Sequence, residues 1–305
     1  MNNPTAEQMT NISLTFAWWN TALVPAGKDR DIDMTEHRKT IVSVIRSLIT
    51  DIKADFIALC EINSNEFEGI SKELALDGWI FFANQSDVGG PIFDLCYIYK
   101  AEVFELLNVI DITSNDYIGA AKVAQRLTLI EKITGEPICI FASHWPSLLN
   151  VDPDDYRRHH LASTLRYWVL KTKDGSENLI KSIMMGDYNA EPYAKHMQEH
   201  LFTSRHRELV TKRENMFYNP TWSLLVEDPR GLKGTYYYSG GIFAKWLAFD
   251  QIFVTSSLLK GDSWKLSSQS RMVPDMLELR KLIRSTKSKF DHMPIYATIE
   301  RATLP

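Results

Sequence analysis

Cysteine is scarce in this 305-residue chain: Cys60, Cys96 and Cys139 are an odd number and lie far apart. No two are spaced as a zinc ligand pair or a redox motif, and each sits in an apolar, strand-like run, so buried free thiols are expected and a disulfide framework is not. Glycine and proline, 14 and 12, supply no collagen-like period and no interdomain linker, and no segment is low in complexity or repeated. Long apolar runs are also missing: none approaches the ~20 residues that a membrane-spanning helix needs. The opening MNNPTAEQMTNIS lacks the basic-then-apolar order of a secretory leader, so a cytoplasmic protein is expected. Nor is there an excess of either charge. With 34 Lys and Arg against 38 Asp and Glu, the net charge of -4 argues against a large basic surface for nucleic acid. It does not exclude an enzyme that grips a single phosphate.

The chain does have core-forming material, with 45% hydrophobic residues, which excludes disorder. Alternating or continuous apolar runs predict strands over 12–19, 55–60, 79–83, 94–100, 103–112, 124–133, 137–143, 180–185, 233–238, 249–254 and 295–299. Between them, apolar residues at helical spacing predict helices over 35–52, 64–76, 154–171 and 274–285, the clearest carrying Ile41, Val44, Ile45, Leu48 and Ile49 on one face. Strands alternating with helices make a layered α/β protein. One domain over 1–305, with residues 1–10 as a polar extension, is the economical organisation.

Polar residues that bind metal or move protons recur at the ends of these strands. Asn20 follows Trp18-Trp19, Glu61 follows Leu59-Cys60, and His144 follows Ala142-Ser143. Asp187 and Asn189 follow Met184-Met185, Asp250 follows Ala248-Phe249, and Asp291-His292 precedes the last strand. In layered α/β folds such ends form one rim, where a rigid scaffold holds accessible side chains. Carboxylates with an amide and no thiolate form a hard oxygen site, suited to Mg2+, with Mn2+ as a substitute, and magnesium commonly shares its shell with substrate phosphate. The donor set therefore points to phosphoryl chemistry.

Six motifs in order, Trp19-Asn20, Ile57-Ala58-Leu59-Cys60-Glu61, Ser143-His144-Trp145, Met185-Gly186-Asp187-Tyr188-Asn189, Phe249-Asp250-Gln251-Ile252 and Asp291-His292-Met293-Pro294, resemble the endonuclease/exonuclease/phosphatase superfamily, which shares the fold of pancreatic deoxyribonuclease and exonuclease III. The resemblance implies a four-layer α-β-β-α sandwich of two packed mixed β-sheets flanked by helices. It implies Glu61 as principal metal ligand, Asn20 supporting the metal or holding Asp187, and Asp291 at a second metal position. It further implies Asp187 as the carboxylate that orients or deprotonates the attacking water, Asn189 on a phosphate oxygen or the nucleophile, Asp250 and His292 as a coupled pair, and His144 across the phosphate from them. Arg126 resembles an arginine that points toward substrate. Two departures matter: Cys60 stands where the family often has Gln, and the residues after Asn20 do not match the Asn-Gly-Leu-Arg run of exonuclease III-type repair enzymes. Abasic-site repair is therefore not the expected activity.

A lone Asp or His at a strand end is more often a turn or cap residue than a catalyst, and here it is the joint occurrence that reverses the odds. The remaining histidines, His37, His159, His160, His196, His200 and His206, fall on polar helical stretches and are expected on the surface. Tyr236-Tyr237-Tyr238 and Trp246 suit base stacking, but packing between sheets is the favoured account. The basic run 271–289 suits either steering of a polyanion or a solvated helix face. The leading expectation is a magnesium-dependent phosphodiesterase with nucleic acid as substrate. The alternatives are an enzyme for a small-molecule or lipid phosphate, and a noncatalytic interaction module, against which the intact polar set argues.

Overall fold

The computed structural model describes residues 11–23, 34–87, 92–116, 119–147, 155–226, 233–260, 263–268 and 272–302. The expected polar extension at 1–10 lies outside them. The first half of the chain supplies β1 (Asn11–Asn20), α1 (Met34–Thr50), β2 (Phe56–Cys60), α2 (Ser64–Leu74), β3 (Trp79–Asn84), β4 (Leu95–Lys100), β5 (Phe104–Asp116), β6 (Gly119–Glu131) and β7 (Pro137–His144). The second half supplies α3 (Tyr156–Lys171), β8 (Lys181–Asp187), β9 (Thr203–Ser204), α4 (Arg207–Lys212), β10 (Phe217–Tyr218), β11 (Tyr236–Tyr237), β12 (Trp246–Leu247), β13 (Asp250–Val254), β14 (Lys265–Leu266), α5 (Leu277–Ile283) and β15 (Ile295–Ala302).

Two mixed sheets form, one of six strands in the order β14-β15-β1-β2-β4-β3 and one of seven in the order β5-β6-β7-β8-β13-β10-β9. They pack face to face through alternate residues of the pleat: Phe16 of β1 lies 6.0 Å from Phe56 and reaches Phe104 of the other sheet at 5.7 Å. Outside the first sheet lie α1 and α2. Asn63 caps α2 by accepting from the Glu66 N–H, and Phe67, Ile70 and Leu74 are its buried face. Outside the second sheet lies α3, capped by Asp155, with Leu161, Ala162, Leu165 and Val169 buried against Cys139, Phe141 and Met184. Each such Leu, Val or Phe contributes about 1.5–3 kcal/mol by leaving water. The result is the expected α-β-β-α sandwich.

The topology explains why polar residues collect at one edge. β1 and β2 are parallel, as are β7 and β8, whereas β13 runs antiparallel to β8 and β15 antiparallel to β1. The C-terminal ends of β1, β2, β7 and β8 and the N-terminal ends of β13 and β15 therefore share one rim.

Several local expectations need correcting. The strand expected over 180–185 does not end before Gly186: β8 continues through Gly186 and Asp187, because the missing side chain of Gly186 lets β7 approach so closely that a Cβ would sit 2.2 Å from the Ser143 carbonyl oxygen. The strand expected over 233–238 shrinks to β11, which pairs with β12 and bridges to His292 through Tyr236, and the basic helix shortens to α5. His37 and His196 are buried rather than surface residues; His37 is stacked at 3.9 Å on Phe290. All three cysteines are buried free thiols. Among the described residues no helix is long and apolar enough to cross a membrane.

Candidate active site

At the rim, Asp250 opens β13 opposite Asp187, the last residue of β8. The two oxygens of Asp250 are both committed. Oδ1 accepts the indole N–H of Trp18 at 2.9 Å, and Oδ2 lies 2.7 Å from His292 Nδ1. This leaves His292 Nε2 facing Asp187 Oδ2 at 3.7 Å and Asp291 Oδ1 at 3.8 Å. Burial works against a charged imidazole here, but Asp250 and Asp187 outweigh it and hold His292 at about 10. The ring is an imidazolium at neutral pH, with its Nε2–H aimed into the mouth.

Glu61 follows the last residue of β2 and adopts a left-handed backbone, φ 53°, which costs a non-glycine residue of order 1–3 kcal/mol. Thr21 Oγ1 donates to the Glu61 carbonyl at 2.9 Å, and the Glu61 N–H donates to Asp94 at 3.1 Å, so the strained turn is held from both ends. Its carboxylate accepts from Asn20 Nδ2 at 3.1 Å, and the same nitrogen donates to Asp187 Oδ2 at 3.2 Å. Asn20 Oδ1 is engaged by the Ala22 N–H at 3.0 Å. Of the two expected roles for Asn20, these bonds fit a bridge between Glu61 and Asp187 better than direct metal support. Burial pushes Glu61 above the usual carboxylate range, partly offset by His144 and His292, and burial likewise raises Asp187 against the pull of His292.

His144 ends β7 on the other side of Glu61, with Nε2 3.6 Å from Glu61 Oε1. Its Nδ1 lies 2.9 Å from Asp94 Oδ2, and Lys122 Nζ reaches Asp94 Oδ1 at 3.0 Å. Burial again opposes the charge, but Asp94 holds His144 at about 9, while His144 and Lys122 overcome burial to keep Asp94 well below the usual carboxylate range. Asp94 and Lys122 are site residues that the sequence reading missed. Asp94 carried a signal, being an acid directly before the apolar run of β4, as Asp250 is before that of β13.

Asn189, also left-handed at φ 47°, donates its backbone N–H to Asp187 Oδ1 at 2.9 Å and spends one hydrogen of Nδ2 on the Trp145 carbonyl at 2.9 Å. Beneath it, the buried guanidinium of Arg158 donates to the carbonyls of Pro146 at 2.8 Å, Asn189 at 3.2 Å and Tyr188 at 3.4 Å, tying the turn after His144 to the turn after Asp187. The structure thus gathers Asn20, Glu61, His144, Asp187, Asn189, Asp250, Asp291 and His292 at one mouth. Arg126 does not join them. It lies on the opposite face of β6 from Gln125, which bonds Tyr97 between the sheets, and its guanidinium donates to Thr172 at the C-terminal cap of α3.

The donor set fits a hard divalent cation. Glu61 and Asp187 crowd carboxylate oxygens into a corner where burial penalises their charge, the situation a cation relieves, and Asp291 adds a further carboxylate beside them. Ligand atoms of Asp187, Asp250 and His292 also fall within 4.8 Å of one another, but both Asp250 oxygens already have partners and His292 is held cationic, so this trio makes the poorer cage.

A sandwich with acids and imidazoles converging on one rim is the architecture of phosphoric ester hydrolases. Residues 19–300 match the Endonuclease/Exonuclease/phosphatase family, and the chain belongs to that family of metal-dependent phosphoric ester hydrolases. Comparison with curated proteins gives no match. Among solved structures, ANGEL2, a 2',3'-cyclic phosphatase in complex with adenosine-2',3'-vanadate, is similar with a TM-score of 0.61 at 14% identity, over 97% of this chain and 99% of that one. A mannosyl-6-phosphatase of Bacteroides thetaiotaomicron gives 0.58 at 15% identity, over 94% and 99%. TDP2 of D. rerio with a single-strand DNA product gives 0.56 at 15%, over 94% and 98%. At these identities the likeness is one of fold.

Proposed function

We propose that the protein is a magnesium-dependent nuclease that hydrolyses nucleic-acid phosphodiester bonds by in-line attack of water. The observation that carries this reading is the pair of imidazoles, His292 and His144, each held cationic by its own carboxylate and facing the Glu61–Asp187 corner from two sides. A phosphodiester carries one negative charge and gains more toward the pentacoordinate state, so two fixed N–H donors stabilise the transition state more than the substrate. Glu61, with Asp291 beside it, would hold the magnesium, which when bound supplies charge neutralisation at the phosphate and leaving oxygen. Asp187, raised by burial, takes the proton of the attacking water. Asn189 keeps Oδ1 to accept from that water and the second hydrogen of Nδ2 to donate to a phosphate oxygen, the first being spent on Trp145. Nucleic acid as the substrate is supported by the adenosine and DNA ligands of two structural neighbours.

A phosphatase of a small or lipid phosphate is the second reading, favoured by the sugar-phosphate enzyme among the neighbours. Incubation with Mg2+ and plasmid, single-stranded DNA, RNA, inositol phosphates and a sphingolipid, beside Asp187→Ala, separates the two. Nucleic-acid cleavage that vanishes in the variant and weakens steeply with salt is the expected result. Salt-insensitive release of phosphate from a monoester would favour the second reading, and equal products from both proteins on every substrate would reject enzymatic turnover.

A further inference from the structure

The hairpin formed by β11 and β12 is compositionally unlike the rest of the chain. Residues 233–249 include six aromatics and two lysines but no acid, in a protein of net charge -4. Its stem belongs to the mouth: the Tyr237 N–H donates to the Asp291 carbonyl at 2.8 Å, the Met293 N–H donates to the Thr235 carbonyl at 2.7 Å, and the Tyr236 ring sits 4.7 Å from that of His292. The stem aromatics are packed. Tyr236 stacks on Phe249 at 5.1 Å, and Trp246 lies 5.1 Å from Tyr237 with the Arg284 guanidinium over its ring at 5.8 Å. Packing, as expected from sequence, therefore accounts for Tyr237 and Trp246.

It does not account for the tip. Phe243 is 102% exposed, Ile242 90% and Tyr238 46%. Tyr238 and Lys245 close the tip with a 2.7 Å backbone bond, and Gly241 turns so tightly that a Cβ there would meet the Ala244 carbonyl oxygen at 1.9 Å. The apolar side chains are thus held outward by a built turn bonded to the same segment that carries Asp291 and His292.

We propose that this tip is a stacking platform for the bases of a single-stranded nucleic acid whose scissile phosphate lies at the mouth, with Tyr238 and Phe243 against base faces and Lys245 beside the backbone. The proposal rests on the nuclease reading and names the form of its substrate. Aromatic faces suit any unpaired base, whereas a duplex hides its base faces in the stack. A strap with lysines and no carboxylate admits phosphates that an acidic one would repel.

Tyr238→Ala/Phe243→Ala, Phe243→Leu and Phe243→Trp test it, at positions exposed enough to leave folding intact. With Mg2+, kcat/KM is measured on single-stranded DNA and RNA oligonucleotides and on bis(p-nitrophenyl) phosphate, which has no strand to stack. The expected result is a fall of about tenfold or more on the oligonucleotides for the double variant, near wild-type rates on the small diester, and an order Trp ≥ Phe > Leu at position 243. Oligonucleotide rates unchanged in the double variant would overturn the platform while leaving the nuclease reading intact, and so would full activity of Phe243→Leu. Wild-type protein that turns over the small diester but no oligonucleotide overturns both. Co-sedimentation with phosphatidylcholine–phosphatidylserine vesicles that the double variant loses, with oligonucleotide rates unaffected, would assign the tip to a membrane surface instead.

Discussion

Two histidine–carboxylate pairs face each other across the mouth, and they are built differently. Asp250–His292 is sealed: Asp250 is fully buried, His292 is 6% exposed, and the third partner is the neutral indole of Trp18. Asp94–His144 is more open, at 18% and 17%, and its third partner is the cation Lys122. The sealed pair joins the two sheets, since Trp18 and Asp250 come from different ones. The open pair also joins them, Asp94 leading into β4 and His144 ending β7, and in addition it holds the strained Glu61 turn through its N–H. The difference teaches that equal chemistry is reached by unequal means. In the dry pair desolvation strengthens the attraction of Asp250 for His292, whereas in the wetter pair Lys122 helps keep Asp94 ionised, and Glu61 and Asp187 add to the pull of Asp94 on His144.

The largest effect that breaks or sharpens this contrast is loss of the imidazoles themselves. His292→Ala should lower kcat by about 10²–10³-fold with little change in KM, as removal of one preorganised donor does. His144→Ala should cost about tenfold less, because water enters the open side and partly replaces the donor. Steady-state kinetics on one oligonucleotide decide it, and a larger loss for His144→Ala would reverse the ranking of the two pairs.

Next in size is the pH dependence of the two acids. Both histidines are raised above their ordinary value, so the stability they confer is fully present below about pH 6.5 and is lost as pH climbs through about 9 for His144 and about 10 for His292. Asp94→Asn removes the largest of the charges that oppose burial, so His144 should titrate well below 9, and the decline of melting temperature between pH 6.5 and 9 should flatten in metal-free protein. NMR titration of the imidazole reads the shift directly. A His144 value that stays near 9 in the variant would mean that Asp94 is not what holds it.

How far each pair was legible in the sequence follows from the same contrast. Asp250 and His292 sit in local runs, Phe249-Asp250-Gln251-Ile252 and Asp291-His292-Met293-Pro294, whose polar residues interrupt apolar strands; strand–helix alternation gave the layered α/β class, and the α-β-β-α sandwich came from the family resemblance that these runs carry. Asp94 was passed over because an acid before a single strand reads as a turn residue unless the antiparallel pairing of β4 with β2, which brings that strand start to the end of β2, is known. Lys122 was beyond reach: a β-bulge shifts the register between Ile112 and Thr113, pairing Thr113 with Lys122, and only that shift defines where its ammonium points. Arg126 failed for the complementary reason. One residue of pleat decides the face of a strand, and here Gln125 points between the sheets while Arg126 points out to Thr172. His37 and His196 read as surface because their neighbours in sequence are polar, but tertiary packing buried them.

The smallest effects come from the third partners, and they sharpen the contrast most. Lys122→Met removes a cation 3.0 Å from Asp94 while leaving the Asp94–His144 bond and the Glu61 N–H contact in place. A fall in kcat of about three- to tenfold is expected, with little loss of melting temperature, since Asp94 keeps the His144 imidazole as a partner at 2.9 Å when Lys122 is gone. Trp18→Phe is the matched change on the sealed side. It strips a 2.9 Å hydrogen bond from a fully buried carboxylate, worth about 1.5–3 kcal/mol, so melting temperature should drop by more than in Lys122→Met while His292, still 2.7 Å from Asp250, keeps most of its rate. Thermal melts and kinetics on the two variants give a crossed pattern, activity lost on the open side and stability on the sealed side. Parallel losses in both would mean that the two pairs are one network and that their different burial has no functional consequence.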